Sequence, residues 1–110
     1  MQWNKLTDIQ QLTSIDEESK TIKVLIFKHS TRCGISNMAL ARIERSWKEE
    51  NNAIIKPYYL DLLNYREISN AIAIHYGITH QSPQVLIITG GKCILEQTHS
   101  AISLEEIIKK

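Results

Sequence analysis

Cysteine is scarce in this chain. Cys33 and Cys93 are its two thiols, too few for a small fold stapled by a disulfide framework. Neither sign of charge dominates: 13 Lys and Arg stand against 12 Asp and Glu, a balance that excludes the basic surface of a nucleic-acid or anionic-membrane binder. Long hydrophobic runs are missing too. No segment approaches the roughly 20 apolar residues of a membrane span. The start, MQWNKLTDIQQL, lacks the basic region and apolar stretch of a secretory signal. A cytoplasmic location with reduced thiols is therefore expected, with no nucleic-acid or membrane partner. Four glycines and two prolines leave no linker, repeat or low-complexity tract. The 110 residues are expected to form a single domain, 1–110, around one core. The four histidines match no zinc-ligand spacing, so no metal site is expected.

The chain alternates between two kinds of hydrophobic periodicity. Trp3 to Leu6 reads as a short strand, and Thr7 with Gln10 has the form of a capping box for a helix carrying Ile9, Leu12 and Ile15. Ile22 to Phe27 is a buried strand. A helix starting near Cys33 runs to about Glu50, with Arg42, Glu44, Arg45, Lys48 and Glu49 on its solvent face. Ile54 to Leu60 is a strand whose Pro57 has no N–H to give, so that part must lie at an edge or beside a short neighbour. Asn64 and Glu67 cap a helix that reaches Tyr76 and stops at Gly77. Val85–Thr89, Gly90-Gly91 and Cys93–Gln97 form a hairpin, and Ser103 with Glu106 opens a terminal helix. The order β-α-β-α-β-α-β-β-α predicts an α/β fold, a mixed sheet with helices on both faces.

Chemistry concentrates where the second strand delivers a cysteine to a helix start, in Val24-Leu25-Ile26-Phe27-Lys28-His29-Ser30-Thr31-Arg32-Cys33-Gly34-Ile35-Ser36. Unsatisfied N–H groups and the positive end of the helix dipole favour thiolate over thiol there. Arg32, Lys28 and His29 are expected to push the same way. Three residues after Cys33, Ser36 stands where a dithiol C-x-x-C enzyme carries its second sulfur, and a hydroxyl is no resolving nucleophile. Cys33 should therefore take a thiol from a mixed disulfide and wait for an external thiol to remove it. Ser36 is expected either to donate a hydrogen bond to the Cys33 thiolate or to satisfy local backbone.

The element order, with Cys33 after the second strand and Ser82-Pro83 before the fourth, resembles the thioredoxin fold over essentially the whole chain. Within it, Phe27-Lys28-His29-Ser30-Thr31-Arg32-Cys33, Ile35-Ser36 and Gln81-Ser82-Pro83-Gln84 resemble the YtxJ-like monothiol bacilliredoxins. Gly34 departs from the proline common at that position and leaves the turn looser. The resemblance implies a monothiol thiol-disulfide oxidoreductase with no permanently bound cofactor, and bacillithiol as its small-thiol co-substrate. Cys33 and Ser36 are its implied catalytic residues. Lys28, Arg32, Gly34, Ser82 and Pro83 are implied to bind substrate, with Ser82-Pro83 cis and Arg32 or Lys28 meeting the thiol's carboxylates. S-thiolated proteins and the small thiol are the implied partners of a monomer, with a reductase as a further candidate. Two other classes compete. Cys33-Gly34-Ile35-Ser36 and Ser82-Pro83-Gln84-Val85 also suit a monothiol glutaredoxin-type iron-sulfur carrier, although Thr98 to Ser103 offers no G-C-D-D-type glutathione motif. The other is a thioredoxin-fold interaction module without turnover.

Cys93, just past the Gly90-Gly91 turn, should stand at the opposite end of the sheet from Cys33. A strand of about five residues spans roughly 17 Å, and a disulfide needs Cα atoms within about 7 Å. Cys93 then reads as a small apolar packing residue. Under mild oxidation the protein is expected to stay monomeric without an internal disulfide; a Cys33–Cys93 linkage in high yield on non-reducing peptide mapping would contradict this placement.

Overall fold

The computed structural model describes residues 1–109. Its elements run β1 (Asn4–Lys5), α1 (Gln11–Glu18), β2 (Lys23–His29), α2 (Gly34–Ser46), β3 (Ile55–Asp61), α3 (Arg66–Tyr76), β4 (Gln84–Thr89), β5 (Lys92–Thr98) and α4 (Leu104–Lys109), with 3₁₀ turns at Glu49–Ala53 and His99–Ala101. The strands form one five-stranded sheet in the order β1-β3-β2-β4-β5. β1, β3 and β2 are parallel, and β4 and β5 run antiparallel to their neighbours.

β2 is the middle strand and is covered on both faces, so its residues alternate between two cores. Val24 and Ile26 pack with Leu12 and Ile15 of α1, Ile68 and Ile72 of α3, and Leu86 and Ile88 of β4. Leu25 and Phe27 pack on the other face with Ala39 and Ile43 of α2, and Ile102, Leu104 and Ile107 from the C-terminal segment. The crossovers β1-α1-β2 and β2-α2-β3 join parallel strands and put α1 and α2 on opposite faces, and α3, on the way to antiparallel β4, shares the face of α1.

Pro57 stands as its missing donor requires. β3 pairs along its whole length with β2, but β1 covers it only at Tyr58 and Tyr59. The Pro57 carbonyl accepts from the Asn4 side chain at 3.0 Å, on the side where no backbone partner extends. The hairpin is closed by Gly90 and Gly91 at φ 59° and 75°, both in the left-handed region that a tight two-residue turn needs. Buried Ser19 holds that turn, accepting the Gly90 N–H on its carbonyl at 2.8 Å and the Gly91 N–H on its hydroxyl at 2.7 Å.

Three local expectations are corrected. The Thr7/Gln10 capping box does not form; the Gln11 carboxamide oxygen accepts the N–H groups of Thr7 and Asp8 at 2.7 and 2.9 Å. One residue further along, it has the reach to close both donors, and Ile9 is left exposed ahead of the helix. Asn64 does not cap α3, because its amide bonds the Asp61 carboxylate at 2.7 Å. α2 stops at Ser46, because Trp47 turns extended and packs against the second core, with its indole N–H on Asn52 at 3.0 Å.

Gly77 ends α3 in the left-handed conformation, φ 65°, with its N–H on the Ala73 carbonyl. A Cβ there would meet nothing within 4 Å, so Gly77→Ala isolates backbone strain from packing. It is expected to cost about 1 kcal/mol, read as a lower urea midpoint with unchanged m value.

Candidate functional site

The site forms where β2 and β3 end. After His29 the chain turns through Ser30, Thr31 and Arg32, and the Cys33 N–H closes that turn on the Ser30 carbonyl at 3.1 Å. Cys33 is extended, φ −108° and ψ 119°, and is the N-cap of α2: its carbonyl takes the first helical bond, from Asn37 N–H at 3.0 Å. Its side chain makes no capping hydrogen bond. The half-exposed sulfur is thus untied at the rim of a helix whose first amides lack intrahelical acceptors.

The surrounding charges differ from the sequence expectation. Arg32 is exposed on the turn. Lys28 and His29, predicted to support the thiolate, are both buried, at 0% and 2% exposure, and point to opposite faces of the sheet. The strand's alternation is the reason. Lys28 continues the row of Val24 and Ile26, and its Nζ donates to the Ser69 carbonyl of α3 at 3.1 Å and lies 3.3 Å from His80 Nδ1. It cannot meet a substrate carboxylate from there. His29 continues the row of Leu25 and Phe27, its ring 5.9 Å from Phe27 and 5.5 Å from Tyr59. Burial pulls its pKa below the ordinary value, against Asp61, Glu44 and a hydrogen bond to Asn37. It is therefore uncharged at neutral pH and adds no positive field to Cys33.

Ser36 is fully buried and faces His29, not the sulfur. Its hydroxyl accepts the Ser30 N–H at 3.0 Å and lies 2.6 Å from His29 Nδ1. The ring and the hydroxyl form one hydrogen bond, whose direction follows the ring's tautomer. The expected donation from Ser36 to a Cys33 thiolate is thus replaced by a tie between α2 and the end of β2, which fixes the turn carrying Cys33. Gly34, the first helical residue, has open space around the position of a Cβ. Nothing steric demands glycine there.

Ser82-Pro83 lies at the same end of the sheet. Its peptide bond is cis, and β4 begins at the next residue, Gln84, paired with Lys28. One register step beyond that pair stand Pro83 and His29, so the turn carrying Cys33 and the loop carrying Ser82 leave adjacent strands side by side. Pro83 is buried and its carbonyl accepts the His99 N–H at 3.2 Å. The Ser82 hydroxyl is buried without a partner among the described residues. Cys93 pairs with Ile88 at the level of Val24, the far end of β2. Five strand steps of about 3.3 Å separate that level from His29. Burial pushes the Cys93 thiol up from its ordinary pKa. Sequence reasoning missed Ser69, His80 and Gln84, which surround Lys28; the signal available for them was the period-two row that turns Lys28 inward.

Burial lowers the Lys28 pKa from 10.5 to about 8, with Glu96 opposing. Between those two values the unfolded chain binds a proton that the folded chain has released, so this group's contribution to stability rises with pH across that window. Relative to Lys28→Met, the wild type is expected to gain up to about 3 kcal/mol between pH 7 and pH 10.5. Paired urea titrations check this, and a difference independent of pH would refute it.

Comparison with known proteins agrees with this geometry. A thioredoxin-fold structure described as a candidate oxidoreductase superposes with a TM-score of 0.82 at 28% identity, covering 96% of this chain and 89% of the other. Thioredoxins share the fold at lower identity. That of Fasciola hepatica gives a TM-score of 0.73 at 18% identity, with 96% of each chain covered. That of Trypanosoma brucei brucei gives 0.71 at 17%, covering 99% of this chain and 93% of its own. The family model of the monothiol bacilliredoxin BrxC matches residues 4–107. With a helix-capping cysteine beside the Ser82-Pro83 loop and a serine in place of a second thiol, the chain belongs to the monothiol bacilliredoxin family of thiol-redox proteins with a thioredoxin fold.

Proposed function

We propose that the protein removes bacillithiol from S-thiolated proteins through Cys33, in the reducing cytoplasm. The observation that carries this reading is the pairing of an untied Cys33 sulfur at the α2 N-terminus with a Ser36 hydroxyl locked against His29 and Ser30. One sulfur is presented, and position 36 supplies no second thiol.

The cycle has two exchanges. The Cys33 thiolate attacks the bacillithiol sulfur of the mixed disulfide; a Cys33–bacillithiol disulfide forms, the original bond breaks, and the substrate cysteine leaves as a thiolate that takes a proton from water. A second bacillithiol thiolate then attacks the bacillithiol sulfur on Cys33, giving bacillithiol disulfide and regenerating the Cys33 thiolate. No net electron is supplied by the protein, so turnover continues only while free thiol is present. A reductase that returns the small disulfide to thiol completes the system.

The binding roles divide by position. Arg32 is the exposed cation beside Cys33, and it meets the carboxylates of the small thiol. The Ser82 backbone, presented by its cis bond to Pro83, receives the adduct on the opposite side. Gly34 leaves the space over the first turn open for it.

With a bacillithiolated protein as substrate, the wild type is expected to carry one bacillithiol on Cys33 after a single turnover and to need added thiol for more. Cys33→Ser should be inactive and Cys93→Ser should keep wild-type rates. Substrate release is followed together with the intact mass of the protein. Release undiminished in Cys33→Ser, or a transferred thiol found on Cys93, would overturn the mechanism.

A further inference from the structure

Lys28 is a cation buried completely in the sheet, and among the described residues no carboxylate is in hydrogen-bond contact with it. Desolvating an ammonium costs several kcal/mol, and an apolar side chain would continue the row of Val24 and Ile26 without that cost. What Lys28 reaches is the segment that leads into Ser82. Its Nζ spans from the Ser69 carbonyl on α3 to His80 Nδ1, a nitrogen that the Ser69 hydroxyl also approaches at 3.3 Å. An ammonium has only donors, so His80 Nδ1 must present its lone pair and the ring proton must sit on Nε2.

The neighbouring residue on β4 holds the same loop. Gln84, fully buried and in register with Lys28, donates to the Thr79 carbonyl at 2.9 Å and to Glu96 Oε1 at 3.0 Å, and its own oxygen accepts the Gln81 N–H at 3.4 Å. Thr79, His80 and Gln81 are therefore each held from beneath by a buried side chain of a central strand. Ser82 and Pro83 follow directly. Lys28 thus touches no reacting atom, yet it anchors the loop that faces Cys33.

We propose that Lys28 is a positioning residue for thiol exchange: its ammonium holds His80 as the neutral Nε2–H tautomer and so fixes the loop that presents Ser82 to the Cys33 adduct. The inference rests on the exchange reading above and adds a residue that acts from the opposite face of the sheet. The groups facing the Lys28–His80 pair fit it. Burial, Lys28 and Arg66 all lower the His80 pKa, keeping the ring neutral, while Glu96 on β5 favours the charged form of Lys28.

Two kinds of attack on Cys33 separate positioning from general damage. Alkylation by iodoacetamide needs only the sulfur, whereas exchange with a bacillithiolated peptide also needs the Ser82 loop. Lys28→Met and His80→Ala are each expected to slow exchange by roughly 10- to 100-fold and to leave alkylation unchanged. The double variant should be no slower than the slower single one, as for two residues acting through one contact. His80 is exposed, so its alanine variant tests the loop even if Lys28→Met folds poorly. Nitrogen-15 spectra of the wild-type imidazole should show Nδ1 unprotonated, and in Lys28→Met the His80 titration should move up. Unchanged exchange, alkylation slowed in the same proportion, additive losses, or a protonated Nδ1 in the wild type would overturn the inference. A wild type that leaves the bacillithiolated peptide intact would instead refute the choice of small thiol; the same series with a glutathionylated peptide then decides the role of Lys28.

Discussion

The structure depends on β2 being buried on both faces. A strand flanked by β3 and β4 and roofed by helices above and below has no solvent side, so every side chain along it must enter a core or find a polar partner inside the protein. Apolar residues from Val24 to Phe27 meet the first condition. Lys28 and His29 meet the second, in opposite directions: Lys28 ties the strand to α3 and the His80 loop, and His29 ties it to Ser36 of α2. The two segments that bracket the sulfur are thereby referred to one rigid strand. Catalytic precision in a small domain requires such a reference, because loops otherwise move independently of the elements they join.

The same constraint explains the division of charge. A cation in the inward row of β2 cannot also line the surface, so of Lys28 and Arg32 only Arg32, on the turn, is exposed. A histidine packed between Phe27 and Tyr59 stays neutral and bonds to a serine hydroxyl. Cys33 keeps its place at the helix N-terminus and its exposed sequence neighbour Arg32, while Lys28 and His29 turn inward. Ser36 contributes geometry. Where a dithiol protein keeps a second sulfur, this chain keeps a hydrogen bond across the turn, which stabilises the single-cysteine arrangement.

Much of the fold was legible because its signals are local. Alternation between period-two and period-3.6 patterns marked the strands and helices, Gly90-Gly91 marked the hairpin, and Pro57 marked the edge of β3 that only the two residues of β1 cover. Helix starts were less legible. Gln11 and Asn64 each have several acceptable partners within a few residues, and which one they choose depends on how the preceding strand delivers the chain.

The sequence by itself determined the order of elements, the position of Cys33 at a helix start, its separation from Cys93 and the absence of a second thiol at position 36. These follow from periodicity, from the reach of a strand and from the identity of one atom. Only the tertiary structure decided that Lys28 and His29 turn inward, that Ser36 turns to His29, and that His80 and Gln84 meet beneath the Ser82 loop with Lys28. The partners of Lys28 lie 41 and 52 residues away, that of His29 lies 7 away, and those of Gln84 lie 3, 5 and 12 away. A side chain's role in a closed interior is fixed by which face of the strand it occupies and what has been folded onto that face, and no local pattern records the second of these.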